Sequence, residues 1–160
     1  LSLNPLKHLD PLGTLFMLFT RFGWGKPVPI DPFNLKDPRK DSALISIAGP
    51  TSNLLLALAL SLLLNFLPGV GLFYAIIFPV IATNVGLAVF NLLPIGLLDG
   101  FKIVGGLLPE KYAADWFATE KYGMILLLVA VMPFGSQSLI TSIIIPPINF
   151  IIKLMLGIGF

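Results

Sequence analysis

The sequence contains no cysteine and only one histidine, His8. The first absence excludes a disulfide framework and a thiol nucleophile. The second leaves the chain without a self-contained zinc site, which would have to use Asp and Glu alone. His8 stands in a polar stretch beside Lys7 and Asp10, where a solvated or locally bonded imidazole is expected. Charge is also scarce. Charged residues make up 11% of the chain and hydrophobic residues 56%, whereas a soluble domain carries about 25% charged residues. Two runs, 42–98 and 122–152, contain no charged residue at all. A helix needs about 20 apolar residues to cross roughly 30 Å of hydrocarbon. The first run is therefore long enough for two crossings, and the second for one crossing or two short segments. Mean hydropathy is +0.95. The expected fold class is all-α: a polytopic transmembrane helical bundle with short re-entrant or extended elements, its partner the lipid bilayer. The net charge of +2 does not indicate nucleic acid, because the lysines and arginines flank apolar runs and form no stripe.

The 160 residues read as a single membrane-embedded domain, without an internal repeat. Leu1 opens the chain without an initiator Met or a signal peptide, as expected of a sequence that begins part-way through a longer protein. Residues 1–41 form an interfacial opening and a Pro-rich loop. Within them, 12–24 is apolar but short and interrupted by Arg21, which suits a short or re-entrant helix. Prolines 27, 29, 32 and 38 make 25–41 extended. Six Lys or Arg against four Asp in residues 1–41 place this face in the cytosol. Residues 43–93 form a transmembrane hairpin, with helices over 43–67 and 70–93 around Pro68-Gly69. The hairpin returns 94–121 to the cytosolic side. Residues 111–121 form a short amphipathic surface helix there, with Tyr112, Trp116 and Tyr122 as interface anchors. Residues 123–160 supply further membrane segments around Gly135-Ser136-Gln137-Ser138, the last of them broken by Pro146-Pro147.

Polar groups are costly in hydrocarbon unless they find partners, so those inside the apolar runs are informative. Asn53 follows Gly49-Pro50-Thr51-Ser52 within the first spanning helix, and Asn84 and Asn91 lie in the second. Asn53 is either helix–helix glue or the lining of a locally opened helix, because Pro50 removes a backbone donor nearby. The stretch from Asn91 to Gly100 ends the second helix with a proline, a glycine and a carboxylate. Pro94 and Gly96 break helical hydrogen bonding, so Asp99 projects from an irregular segment. It either caps the following helix or holds a cation or proton in the protein interior.

Four stretches taken together resemble the bacterial branch of the site-2 protease family of intramembrane zinc metalloproteases. They are Asn4-Pro5-Leu6-Lys7-His8-Leu9-Asp10-Pro11-Leu12-Gly13-Thr14, Gly25-Lys26-Pro27-Val28-Pro29, Ala48-Gly49-Pro50-Thr51-Ser52-Asn53, and Asn91-Leu92-Leu93-Pro94 with Leu98-Asp99-Gly100. Their order and their positions relative to the apolar runs match the family over roughly residues 1–130. The resemblance implies a Zn2+ site within the bilayer, made by two histidines of an HExxH motif and completed by Asp99. It also implies that Asn53 and Asn91 line the cleft, holding substrate backbone or the developing oxyanion. The implied substrate is a transmembrane segment of another protein, and the loop at 25–34 is expected to pair with it as an added strand. The sequence departs from the family in one respect: it contains no HExxH. These residues alone are therefore expected to be inactive. A rival expectation is a non-catalytic membrane scaffold, or a transporter-like protein that holds an ion at Asp99.

Overall fold

The structure is a computed structural model. It describes residues 9–11, 14, 25, 35–66, 71–134 and 137–157, with 133, 134 and 137 described by backbone alone. The chain falls into two compact units, Leu1–Asn34 and Leu35–Phe160. In the first unit, the Asp10 carbonyl accepts from the backbone N–H of Thr14 at 2.8 Å and from its hydroxyl at 2.7 Å. Leu9 pairs with Gly25 in an isolated antiparallel bridge. His8 and the strand-pairing loop lie outside the described residues, Gly25 excepted. So does most of the expected short helix at 12–24.

The second unit begins with a strong start signal. In α1 (Pro38–Phe66), proline occupies the first helical position, where its missing N–H costs nothing. Asp37 caps the helix, its side chain accepting from the Lys40 N–H at 3.2 Å. The Asp41 carboxylate reciprocates by accepting from the Asp37 N–H at 3.1 Å. That N–H bond from Lys40 is the main reason the Asp37 carboxyl sits below its ordinary pKa. The expected start at residue 43 is corrected to Pro38, because charge marks where apolar sequence begins and the cap marks where the helix begins. Pro50 lies inside α1 without ending it.

Next comes α2 (Gly71–Asn91), followed by an irregular segment and then α3 (Asp99–Leu107). A second short helix, α4 (Glu110–Ala118), runs into a single 3-10 turn at Glu120–Tyr122. α5 (Gly123–Val131) has nine residues and spans only about 14 Å. Two-residue strands, β1 (Pro133–Phe134) and β2 (Gln137–Ser138), then pair antiparallel, Pro133 opposite Ser138. Finally α6 (Leu139–Leu156) is capped at its start by Ser138, whose hydroxyl accepts from the Thr141 N–H at 3.2 Å. It ends at Gly157, whose φ of +66° suits a residue without a side chain. The expected break at Pro146-Pro147 does not occur, since both lie inside α6. Each removes one ladder hydrogen bond, and both residues are exposed.

Among the described residues, three helices are long and apolar enough to cross a membrane: α1, α2 and α6. They share one core, in which Ala57, Leu64, Ile81 and Val85 are buried and Ile148, Ile152 and Met155 pack against them. Their outer faces carry large exposed apolar side chains, such as Leu55, Phe66, Leu72, Ile76 and Leu154. Less than a quarter of each span is buried inside the protein. In water, apolar patches this extensive would drive association. In lipid they are the required surface. The protein is an all-α integral membrane protein.

Candidate functional site

The segment between α2 and α3 is held by backbone-to-backbone contact. The Leu92 N–H bonds the Ala88 carbonyl at 3.1 Å, and the Leu98 N–H bonds the Ile95 carbonyl at 2.8 Å. Gly100 lies directly on the end of α2. A Cβ there would collide with the Leu92 carbonyl and come within 2.5 Å of the Leu93 carbonyl oxygen. Gly96 and Gly123 meet in the same way, since a Cβ on Gly123 would stand 2.8 Å from the Gly96 Cα. The first turn of α3 is thereby locked to α2, and the start of α5 to the connecting segment.

Within this frame, Asp99 does not cap α3. The N-cap is Leu98, and no side chain bonds there. Asp99 occupies the first helical turn instead, where a carboxylate still complements the helix dipole, and its side chain reaches α1. Its Oδ2 lies 3.2 Å from where a Cβ on Gly49 would stand, so only a glycine leaves ordinary room for it. One turn earlier on α1, Ser46 is buried. Burial pushes the Asp99 carboxyl above its ordinary range, while the Lys102 charge pulls it down. Asp99 is half-buried, and Gly49 is open on its outer side. The result is a shielded carboxylate with one accessible side.

Two packing devices hold α3 against its neighbours. Gly106 abuts Ala43 of α1, and the Arg39 guanidinium donates to the Leu108 carbonyl at 2.9 Å. On the other side, Phe101 is 2% exposed and stacks on Trp116 at 4.8 Å between ring centroids. The Trp116 indole N–H donates to the Phe101 carbonyl at 2.9 Å, and Phe117 packs over Gly105. Trp116 thus clamps α4 to α3 through its N–H and its ring. Tyr112 and Tyr122 are exposed.

Asn53 lies four residues beyond Gly49, on the same face of α1 and about one 5.4 Å turn along it. Asn91 is the last residue of α2. Both are half-buried. No described hydrogen bond joins either side chain to Asp99. Asn84 bonds its own helix, at the Val80 carbonyl (2.8 Å). Among the described residues, no group of three or more His, Cys, Asp or Glu side chains converges. The structure brings Gly49 and Asp99 together, places Asn53 one turn away, and leaves Asn91 at the end of the neighbouring helix. Sequence reasoning missed the meeting of Gly49 with Asp99, for which the available signal was a glycine inside an apolar helix.

No family profile matches the chain, and no solved structure matches it. A protein of Bacillus subtilis (strain 168), named "Putative zinc metalloprotease YwhC", is 41% identical over 152 residues, an alignment covering 87% of this chain and 68% of the Bacillus protein. An identity of that size, sustained over most of both proteins, makes this chain a member of the zinc metalloprotease family to which YwhC belongs.

Proposed function

We propose that the protein is the core of a site-2-type intramembrane zinc endopeptidase, in which Asp99 supplies one zinc ligand. The observation that carries this reading is the Asp99 carboxylate, reaching from the first turn of α3 into the gap left by Gly49, half-shielded and open on one side. A carboxylate raised by burial gains from a cation beside it, and catalytic zinc commonly takes three protein ligands and an open position. The donor set fits one share of such a site. With a single histidine in the sequence, a His-His-Asp shell needs ligands from outside these 160 residues, and the residues alone are inactive in this reading. When bound, zinc would polarise the scissile carbonyl and activate water.

The chain's own residues do the rest. Gly49 admits the carboxylate, and Gly100 sets the first turn of α3 directly against the end of α2. The carboxamide of Asn53, one turn along the same face, supplies donors for an unwound substrate backbone, and Asn91 does so from the end of α2. The substrate is a transmembrane segment of another protein, partly unwound to expose its amides. Residues 1–41 and 94–121 face the cytosol of a bacterial plasma membrane.

The test is proteolysis of a single-span substrate in lipid vesicles by protein carrying its flanking sequence. Cleavage should be lost on zinc chelation, restored by added zinc, and abolished by Asp99→Ala. Cleavage that survives Asp99→Ala would refute the assignment. Zinc binding without cleavage of any membrane-spanning substrate would favour the scaffold reading.

A further inference from the structure

Asn149 stands near the middle of α6 (Leu139–Leu156), a helix about 27 Å long. It is exposed, and among the described residues nothing bonds its carboxamide. Asn65 and Asn84, by contrast, each donate to a backbone carbonyl. Asn149 also does not stand alone. Ser142, Pro146, Asn149 and Lys153 recur at spacings of four, three and four, which sets them in one stripe along α6, and all four are exposed. The residues of α6 that pack on the core of α1 and α2 are Ile148, Ile151, Ile152 and Met155, about half a turn around the helix. The stripe therefore faces away from the bundle. Pro146 and Pro147 carry no N–H, so the carbonyls of Ser142 and Ile143 lose their ladder donors, and the first of these opens on the stripe. The Ser142 hydroxyl bonds the Ser138 carbonyl at 3.3 Å.

A carboxamide and a carbonyl left open at this depth are costly, because hydrocarbon offers neither a donor nor an acceptor. We propose that this face of α6 is the surface on which two copies of the chain associate, their α6 helices parallel and side by side. Copies in one membrane share one orientation, so a pair is related by a two-fold axis along the membrane normal, and each residue of the stripe meets its own counterpart. The stripe suits that arrangement. A carboxamide is donor and acceptor at once, so Asn149 opposite Asn149 satisfies both, and a hydroxyl does the same at Ser142. Polar groups of this kind join helices in lipid, and the four-three-four spacing is that of a two-helix seam. A partner helix recognised by charge would need an unpaired charge in the middle of the face. Ser142, Pro146 and Asn149 are neutral, and Lys153 already has an interaction within its own chain. Lys153 lies in the last turn of α6, from which its long side chain reaches the membrane surface and stays clear of its counterpart.

The experiment follows energy transfer between donor- and acceptor-labelled copies of the protein, with its flanking sequence, as they are diluted in lipid vesicles. Wild type should associate. Asn149→Leu, which lipid accepts, should weaken association by about 10-fold, while Asn149→Gln keeps the carboxamide and should retain most of it. Oxidative cross-linking in a cysteine-free background locates the contact. Ser142→Cys should join two copies, whereas Ile143→Cys and Leu154→Cys, exposed but off the stripe, should not. Should Asn149→Leu fail to fold, the cross-linking pattern decides by itself. The proposal is overturned if no energy transfer is seen at any dilution, if Asn149→Leu associates as wild type does, or if Leu154→Cys cross-links as well as Ser142→Cys. It is overturned equally if copies that stay single shield Ser142→Cys from a lipid-soluble thiol reagent, since a helix of the flanking sequence then covers the face.

Discussion

The two ends of the three-helix bundle are assembled on different principles. At one end, Ala57, Leu64, Ile81 and Val85 are surrounded by the isoleucines of α6, and contact is made by aliphatic side chains that can adjust. At the other, glycines do the work: Gly100 on Leu92–Leu93, Gly96 on Gly123, Gly106 on Ala43, and Gly49 beside Asp99. Inside a membrane, burial of apolar surface adds little to helix association, because lipid is as apolar as leucine. Close approach through small residues is what remains. The aliphatic end specifies that the helices pack. The glycine end specifies where one carboxylate lies, because backbone against backbone has no rotamers to absorb a displacement.

Substitutions at the two ends should therefore differ in cost. Gly100→Ala should have the largest effect, since its methyl group would run into the Leu92–Leu93 backbone. We expect a loss of about 3 kcal/mol or more, read as a drop in thermal unfolding temperature in detergent. Little or no change would show that the first turn of α3 can shift without penalty. Gly123→Ala, facing the Gly96 backbone at 2.8 Å, should cost about 2 kcal/mol in the same assay. At the aliphatic end, Ile81→Val removes one methylene from a fully buried side chain and should cost about 1 kcal/mol. A loss there as large as that at Gly100 would erase the contrast. Trp116→Phe keeps a smaller ring against Phe101 and removes the 2.9 Å hydrogen bond to its carbonyl, at a cost of about 1 kcal/mol. The smallest effect is at the surface. Asp37→Ala should leave unfolding almost unchanged while speeding amide exchange at Lys40, whose N–H the Asp37 side chain caps. Exchange at wild-type rate would show that the cap is not formed.

Much of the fold was legible because charge is so unevenly distributed. The gaps at 42–98 and 122–152 contain nearly all of α1, α2 and α6, and Pro68-Gly69 lies between the first two. Helix ends were less legible where hydropathy and capping disagree. Asp37-Pro38 carried the start of α1 in the sequence, but four prolines nearby made the whole segment read as extended. Pro146-Pro147 misled in the opposite way, since α6 runs through both. At the site, Asp99 stood out because a carboxylate at the end of a charge-free run demands an explanation. Its meeting with Gly49 did not, because the turn after α2 brings the two together. The clamp role of Trp116 was hidden for the same reason: an amphipathic helix read alone shows which side chains could face lipid, but not that one of them has a carbonyl waiting on α3.

The account stands or falls on the Asp99 carboxylate as a metal ligand, and the most direct measurement is anomalous X-ray diffraction at the zinc edge from crystals of the protein with its flanking sequence. It predicts a peak about 2.0–2.2 Å from an Asp99 carboxylate oxygen, on the open side of Gly49, that vanishes in Asp99→Ala. A zinc peak elsewhere with the carboxylate turned into bulk water, or a peak unchanged in the variant, would contradict it.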